Sequence, residues 1–279
     1  MIDCNQELLA MFGAKCAQII GNFFAFEMLH PLGVWGPCGV AQRCGQHRTM
    51  RCMITVHHLE NSRSQRVLWL LEELALPYQV KRYQRHPKTM LAPPELARVH
   101  PLGKSPVITD SGVDGGTVVA ESGAIVEYLI DVHGGGRLRP LQGSAEQHRY
   151  TYWLHFAEGS LMPPLLLKLV FDKVREAPVP FFIKPVVRGI ADKVTAGFIA
   201  PNLTRLLAFM EAELASRAWF AGAEFSAADV QMSYPLEAAA ERAGLDSRYP
   251  ALTDWLARIH ARPAYVRALA AGGPYSAVP

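Results

Sequence analysis

Two stretches decide the fold: His100-Pro-Leu-Gly-Lys-Ser-Pro-Val-Ile108 and Ala120-Glu-Ser-Gly-Ala-Ile-Val-Glu-Tyr-Leu129. Pro106 stands at the mouth of a short β-branched run, where its missing N–H costs no ladder hydrogen bond. Glu121-Ser122 opens an amphipathic helix, and Ser is a favoured residue at a helix start. Upstream, Ile54-Thr-Val-His-His-Leu59 reads as a strand, and the hydroxyl-rich turn Asn61-Ser-Arg-Ser64 leads into a further helix. Two helix N-termini and one proline-fixed backbone edge thereby converge on one crevice. Such a crevice suits a small anionic peptide carrying a thiol.

Outward from that centre, Val67, Leu70, Leu71 and Leu74 recur at helical spacing, and Pro77 ends the run. Tyr78–Tyr83 is expected as a second strand, completing a right-handed βαβ unit with the first. Residues 84–103 are rich in Pro and predict a loop with a short helical turn around 94–99. Pro106–Thr109 and Thr117–Ala120 are expected to pair as a hairpin around a Gly-rich turn. The helix from Ser122 would show Ile125, Tyr128, Leu129 and Val132 on one face. The order βαβ–ββα is that of a thioredoxin-like domain, spanning residues 53–132.

His133-Gly-Gly-Gly-Arg-Leu-Arg-Pro-Leu-Gln-Gly143 reads as a linker. Beyond it the pattern turns helical, giving an all-α domain over 144–270 and a tail over 271–279. A long helix is expected over 144–173, kinked at Pro163-Pro164. Further helices are marked by Leu203, Leu206, Leu207 and Met210, and by Leu252, Trp255, Leu256 and Ile259 before Pro263. Ser226-Ala-Ala-Asp229 resembles a capping box, with Phe225 and Val230 placed as a hydrophobic staple.

Composition narrows the function classes. The 279 residues are half apolar with a net charge of +3, enough for a sizeable core and two domains. No basic stripe interleaved with aromatics suggests nucleic acid. No apolar run approaches the roughly 20 residues that span a bilayer. All five cysteines (Cys4, Cys16, Cys38, Cys44 and Cys52) precede Met53. Transfer or redox chemistry in the globular part must therefore borrow its sulfur from a ligand. Residues 1–52 are expected to be a poorly ordered extension, with Met53 opening the functional chain. Cys38, Cys44, His47 and Cys52 invite a zinc reading, but five residues between Cys38 and Cys44 exceed the usual ligand spacing, so no metal is expected.

Ser62 and Ser64 sit where a thiolate could be stabilised. Lowering a thiol pKa from about 8.5 to about 6.5 takes roughly 2.7 kcal/mol of preferential thiolate binding. A helix N-terminus supplies about 0.5–2 kcal/mol, and a hydroxyl bonded to a charged acceptor about 1.5–3 kcal/mol. The two together suffice. The plainer reading is that these serines cap the helix. Ser105-Pro106 is a cis-peptide candidate, which would turn the Ser105 N–H and C=O toward an extended peptide. Lys104 could hold a carboxylate, Ser122 a second one, and Glu121 an ammonium group. His57 and His58 read as packing residues.

The segments Leu59-Glu-Asn-Ser-Arg-Ser-Gln-Arg66, Leu102-Gly-Lys-Ser-Pro106 and Ala120-Glu-Ser-Gly-Ala-Ile125, with Phe225-Ser-Ala-Ala-Asp229, resemble the cytosolic glutathione S-transferase family over residues 53–270. The flavour is that of serine-type bacterial and fungal members. The resemblance implies that glutathione is the co-substrate. Ser105 would pair with its cysteinyl backbone beside a cis Pro106, where the family more often has Val. Glu121 and Ser122 would hold its γ-glutamyl end, and Lys104 its glycyl carboxylate. Aligned on serine-type members, the activating hydroxyl falls at Ser62, with Asn61 and Ser64 as alternatives. The electrophile would meet Leu161, Met162, Leu165, Phe171 and Tyr234 on the helical domain, although residues of this kind are more often plain core. The resemblance further implies a cytoplasmic homodimer engaged in detoxification. Peroxide reduction or isomerisation on the same scaffold, and a non-catalytic ligand-binding module, are the alternatives.

Overall fold

A computed structural model describes residues 54–113, 115–273 and 275. The extension over 1–52 and its Cys38, Cys44, His47 and Cys52 lie outside the described residues. The thioredoxin-like half contains β1 (Ile54–Leu59), α1 (Ser64–Glu73), β2 (Tyr78–Tyr83), α2 (Glu95–Val99), β3 (Val107–Asp110), β4 (Thr117–Ala120) and α3 (Ser122–Tyr128). The sheet order is β2-β1-β3-β4. β1 runs parallel to β2, with Val56 beside Val80, and antiparallel to β3, with Val56 beside Ile108. β3 and β4 form the expected hairpin, with Val107 opposite Ala120.

The helical half contains α4 (Ala145–Phe156), α5 (Met162–Arg175), α6 (Lys184–Val194), α7 (Ala200–Ala215), α8 (Ala227–Arg242), α9 (Pro250–His260) and α10 (Pro263–Gly272). Helix α1 is buried all round from Ser64 to Leu71, beyond the single stripe expected, because α8 and α10 cover the faces that the sheet leaves. Each large apolar side chain so buried contributes about 1.5–3 kcal/mol. Trp69 sits at this junction, edge-on to Tyr265 at 5.0 Å and tilted against Phe225 at 5.6 Å. Gly272 permits the close approach of α10 to α1, since a Cβ there would lie 2.6 Å from Gln65 Oε1. Arg262 clamps the same junction, donating to both oxygens of Glu73 at 2.5 and 2.9 Å.

Two expectations need correction. The buried face after Ser122 is Ile125, Val126, Leu129 and Ile130, whereas Val132 is 46% exposed. Helix α3 ends in a wide π-type turn over Leu129–His133, closed by Gly134 N–H donating to Leu129 O at 2.8 Å. That extra residue in the turn rotates Val132 outward. The break in the long helix lies upstream of Pro163-Pro164, in a second π-type turn over Ala157–Leu161. Pro163 offers no N–H to the Gly159 carbonyl and crowds it, so the chain widens before the prolines, which then occupy the first turn of α5. The widened turn carries Glu158.

The capping box at Ser226 is present. Asp229 is fully buried and accepts from Ser226 N and Oγ at 3.0 and 3.1 Å, and from Phe220 N and Trp255 Nε1 at 3.1 Å each. Burial pushes its carboxyl above the usual range despite these four donors.

Candidate active site

A crevice of about 200 Å³ lies at the C-terminal end of β1, between the loop before β3, the start of α3 and the widened turn before α5. Arg63, His100, Leu102, Lys104, Ser105, Pro106, Ala120, Glu121, Ser122 and Glu158 line it. The five residues expected to contact a peptide ligand, Lys104, Ser105, Pro106, Glu121 and Ser122, are thus brought together from two separate loops.

The local sequence explains each placement. The Ser105–Pro106 peptide is cis. The Ser105 hydroxyl donates to His57 O at 2.9 Å and accepts from Leu59 N at 3.3 Å, fastening this loop to the end of β1. Ser105 therefore spends its side-chain hydroxyl on the strand while lining the crevice. Glu121 has φ +72°, a conformation that costs a non-glycine residue about 1–3 kcal/mol. Strain of this kind at the mouth of a crevice is characteristic of ligand sites. Glu121 lines the crevice, and Ser122 starts the helix, buried, with its Oγ accepting from Gln231 Nε2 at 3.1 Å.

The turn residues separate into distinct roles. Asn61 is exposed, with φ +48°, and its carbonyl accepts from Arg85 Nη2 at 3.1 Å. Ser64 is fully buried, its Oγ 2.9 Å from His58 Nδ1 and 2.7 Å from Ser62 Oγ. Ser62 is buried next to the crevice residue Arg63 in sequence, its Oγ accepts from Ser64 N at 3.3 Å, and none of Asn61, Ser62 and Ser64 is among the residues that line the crevice. His58 is held neutral, its pKa pushed down to about 4 by burial and then by the Arg82 charge. The Gly272 carbonyl accepts from its ring, leaving Nδ1 as the acceptor for Ser64.

Arg63, Arg66 and Glu158 are the residues that sequence reasoning missed. Arg63 Nε reaches both oxygens of Glu158 at 3.0 and 3.1 Å. Arg66, fully buried, bonds Glu158 through Nη2 and the Gln231 carbonyl through Nη1 at 2.7 Å. Burial pushes the Glu158 carboxyl up, but Arg66 and then Arg63 outweigh it and hold the pKa below the usual range. Both guanidiniums lie over the Tyr234 ring, at 5.4 and 5.5 Å from its centre. Of the residues named for an electrophile pocket, Tyr234 alone approaches the site in this way. Leu161, Met162 and Leu165 are buried in the main core, and Phe171 packs against that core, partly buried. Among the described residues no group of His, Cys, Asp and Glu is arranged to hold a metal, and no helix is long and apolar enough to cross a membrane.

Comparison with known proteins bears on this geometry. A family model described as glutathione S-transferase, N-terminal domain, matches residues 62–132, and one described as glutathione S-transferase, C-terminal domain, matches 193–258. Glutathione S-transferase 3 of Schizosaccharomyces pombe is 36% identical over 76% of this chain and 85% of its own. Glutathione S-transferase 1 of Saccharomyces cerevisiae is 33% identical over 76% of this chain and 92% of its own. The crystal structure of a glutathione transferase family member from Pseudomonas fluorescens, with two glutathione bound, superposes with a TM-score of 0.61 at 30% identity, covering 77% of this chain and 92% of that one. With the fold, the crevice and these relatives in agreement, the chain belongs to the glutathione S-transferase family.

Proposed function

We propose that the crevice holds glutathione across the end of the sheet and that Ser62 activates its thiol for attack on small apolar electrophiles. The observation that carries this reading is the meeting of Lys104, Ser105, Pro106, Glu121 and Ser122 along one wall set. Lys104 takes the glycyl carboxylate. The Ser105 main chain pairs with the cysteinyl residue beside the cis proline. Ser122 takes the γ-glutamyl carboxylate, and Glu121 its ammonium. These contacts place the sulfur near the turn before α1, where the helix N-terminus and the Ser62 hydroxyl favour the anion. Arg63 adds a positive charge at the same rim.

The thiol proton leaves to water. The thiolate then forms a sulfur–carbon bond with the electrophile, and a leaving group such as chloride departs with the bonding electrons. Holding both reactants side by side turns a bimolecular encounter into a near-unimolecular step. The electrophile approaches from the helical side, past Tyr234. Family membership supports a homodimer, a cytoplasmic location and a role in detoxification.

The test is retention on immobilised glutathione, together with conjugation of a chloronitrobenzene-type electrophile followed by absorbance. Binding at submillimolar glutathione and measurable turnover are expected. A chain that fails to bind glutathione at millimolar concentration is a non-catalytic module on the same scaffold.

A further inference from the structure

Helix α8 meets both walls of the crevice through one residue. The Gln231 side chain is fully buried, and its Nε2 donates to Ser122 Oγ at 3.1 Å. Its backbone carbonyl accepts from Arg66 Nη1 at 2.7 Å. That carbonyl is open to Arg66 because Pro235, four residues on, has no N–H to close the helical bond. Arg66 in turn bonds Glu158, which shares its carboxylate with Arg63. Ser122 lines one side of the crevice, and Arg63 and Glu158 the other.

For stability alone Gln231 is a poor choice. Its Oε1 is buried without a hydrogen-bond partner, and an unpaired buried polar group costs about 1–3 kcal/mol. An apolar side chain of similar volume would satisfy the core better. What the amide supplies is direction. A hydroxyl has one hydrogen and two lone pairs. With Gln231 Nε2 on one lone pair, the Ser122 hydrogen is turned away from α8. Among the described residues no acceptor is bonded to it, so it is available to a ligand in the crevice.

We propose that Gln231 is a positioning residue: it fixes the Ser122 hydroxyl as a donor to the α-carboxylate of the γ-glutamyl group. This rests on the glutathione reading above. It makes the affinity for the amino-acid end of the ligand depend on the helical domain, through a residue that touches no substrate.

The test compares the full chain with Gln231→Met, which keeps volume and removes the amide, and with Gln231→Glu. The readouts are the thermal midpoint without ligand, KM and kcat, and calorimetric binding of glutathione and of γ-aminobutyryl-cysteinyl-glycine, which lacks the α-carboxylate. Gln231→Met should keep or raise the thermal midpoint and raise the KM for glutathione about five- to tenfold, with kcat within twofold. It should bind the decarboxy tripeptide as wild type does. Gln231→Glu should weaken glutathione further, since a carboxylate takes the Ser122 hydrogen for itself and repels the ligand's anion. Equal weakening of both tripeptides, or a lowered thermal midpoint with an unchanged KM, overturns the proposal and leaves Gln231 a packing residue. Failure of the wild type to bind glutathione overturns the underlying reading instead.

Discussion

The Ser62 and Ser64 hydroxyl oxygens lie 2.7 Å apart, and the hydrogen between them belongs to Ser62. His58 is neutral and presents Nδ1 as an acceptor, so the single Ser64 hydrogen goes to it at 2.9 Å. Ser64 is left to accept from Ser62. In this resting arrangement the proposed activator points inward, and it must rotate about its Cα–Cβ bond to meet a thiolate.

That geometry separates the two serines experimentally. Ser62→Ala removes a hydroxyl–thiolate bond worth about 1.5–3 kcal/mol. At 1.36 kcal/mol per pKa unit, the bound thiol pKa should rise by about 1–2, and kcat/KM at neutral pH should fall ten- to hundredfold. Ser64→Ala leaves Ser62 without its inward acceptor. It should leave the thiol pKa level or lower while costing about 1–2 kcal/mol of stability through the unpaired His58 Nδ1. Ultraviolet titration of the bound thiolate decides between them. A larger effect from Ser64→Ala or Asn61→Ala would move the activating role to that residue.

Glu158 balances two arginines, one of them fully buried. Removing one member of a buried pair costs about 3–5 kcal/mol, because the remaining charge stays desolvated. Glu158 is itself a third exposed, so water relieves part of that cost. Glu158→Gln, which keeps an acceptor for Arg66, should therefore lose about 2 kcal/mol, and Glu158→Ala about 3 kcal/mol. Urea unfolding reads both. Equal stability of the two variants would mean that charge, not hydrogen bonding, is what Arg66 needs.

Much of this was legible in sequence because local rules and tertiary context agree. Pro106, lacking an N–H, fits the position just before a strand, and Ser226 with Asp229 fits a helix start. The strands at 54–59 and 78–83 were bounded by turn residues. The set Lys104, Ser105, Pro106, Glu121 and Ser122, which the structure gathers at one crevice, is legible in two short motifs. What escaped was the polar layer contributed by the helical domain. Glu158 sits in Ala157-Glu-Gly-Ser160, with no pattern to set it apart from a solvated glutamate. Its placement depends on a π-type turn that the following prolines induce. Arg66 lies in the polar first turn of its helix, beside Ser64 and Gln65, and reads as a surface cation. The one local clue was Pro235 inside a helical run, which frees a carbonyl four residues back and so signals that something must donate to Gln231. Leu161, Met162 and Leu165 lie in the main core, where apolar residues at helical spacing are most often found.

Asp229 tests how far the helical domain depends on one buried carboxylate. Asp229→Ala would leave the N–H groups of Phe220, Ser226 and Trp255 without acceptors. Each buried orphan costs about 1–3 kcal/mol. A total loss of about 4 kcal/mol is expected, lowering the thermal midpoint by roughly 8–16 °C for a chain of this size. A fall of under 3 °C would show that water or a shifted loop satisfies those donors.

The acid limb of stability should belong largely to His58. Its folded pKa is about 4, below the usual value of about 6.5 for a histidine in an unfolded chain. Above pH 6.5 both states are neutral and the histidine adds no pH dependence. As pH falls below 6.5 the unfolded chain takes up a proton that the folded chain refuses, so stability drops until pH reaches about 4. The gap between the two pKa values corresponds to about 3 kcal/mol at 1.36 kcal/mol per unit. Glu158 works in the same direction at lower pH, since its depressed pKa gives stability that is lost as its carboxylate protonates. His58→Gln keeps a hydrogen-bonding side chain on the strand and removes the titration. Its unfolding free energy should therefore decline less steeply than the wild type's between pH 7 and 5, the remaining slope belonging to His57, whose pKa burial and then the Lys81 charge also lower. Parallel profiles for the two proteins would assign the decline to other groups and leave Ser64 without a fixed acceptor, and with it the inward orientation of Ser62.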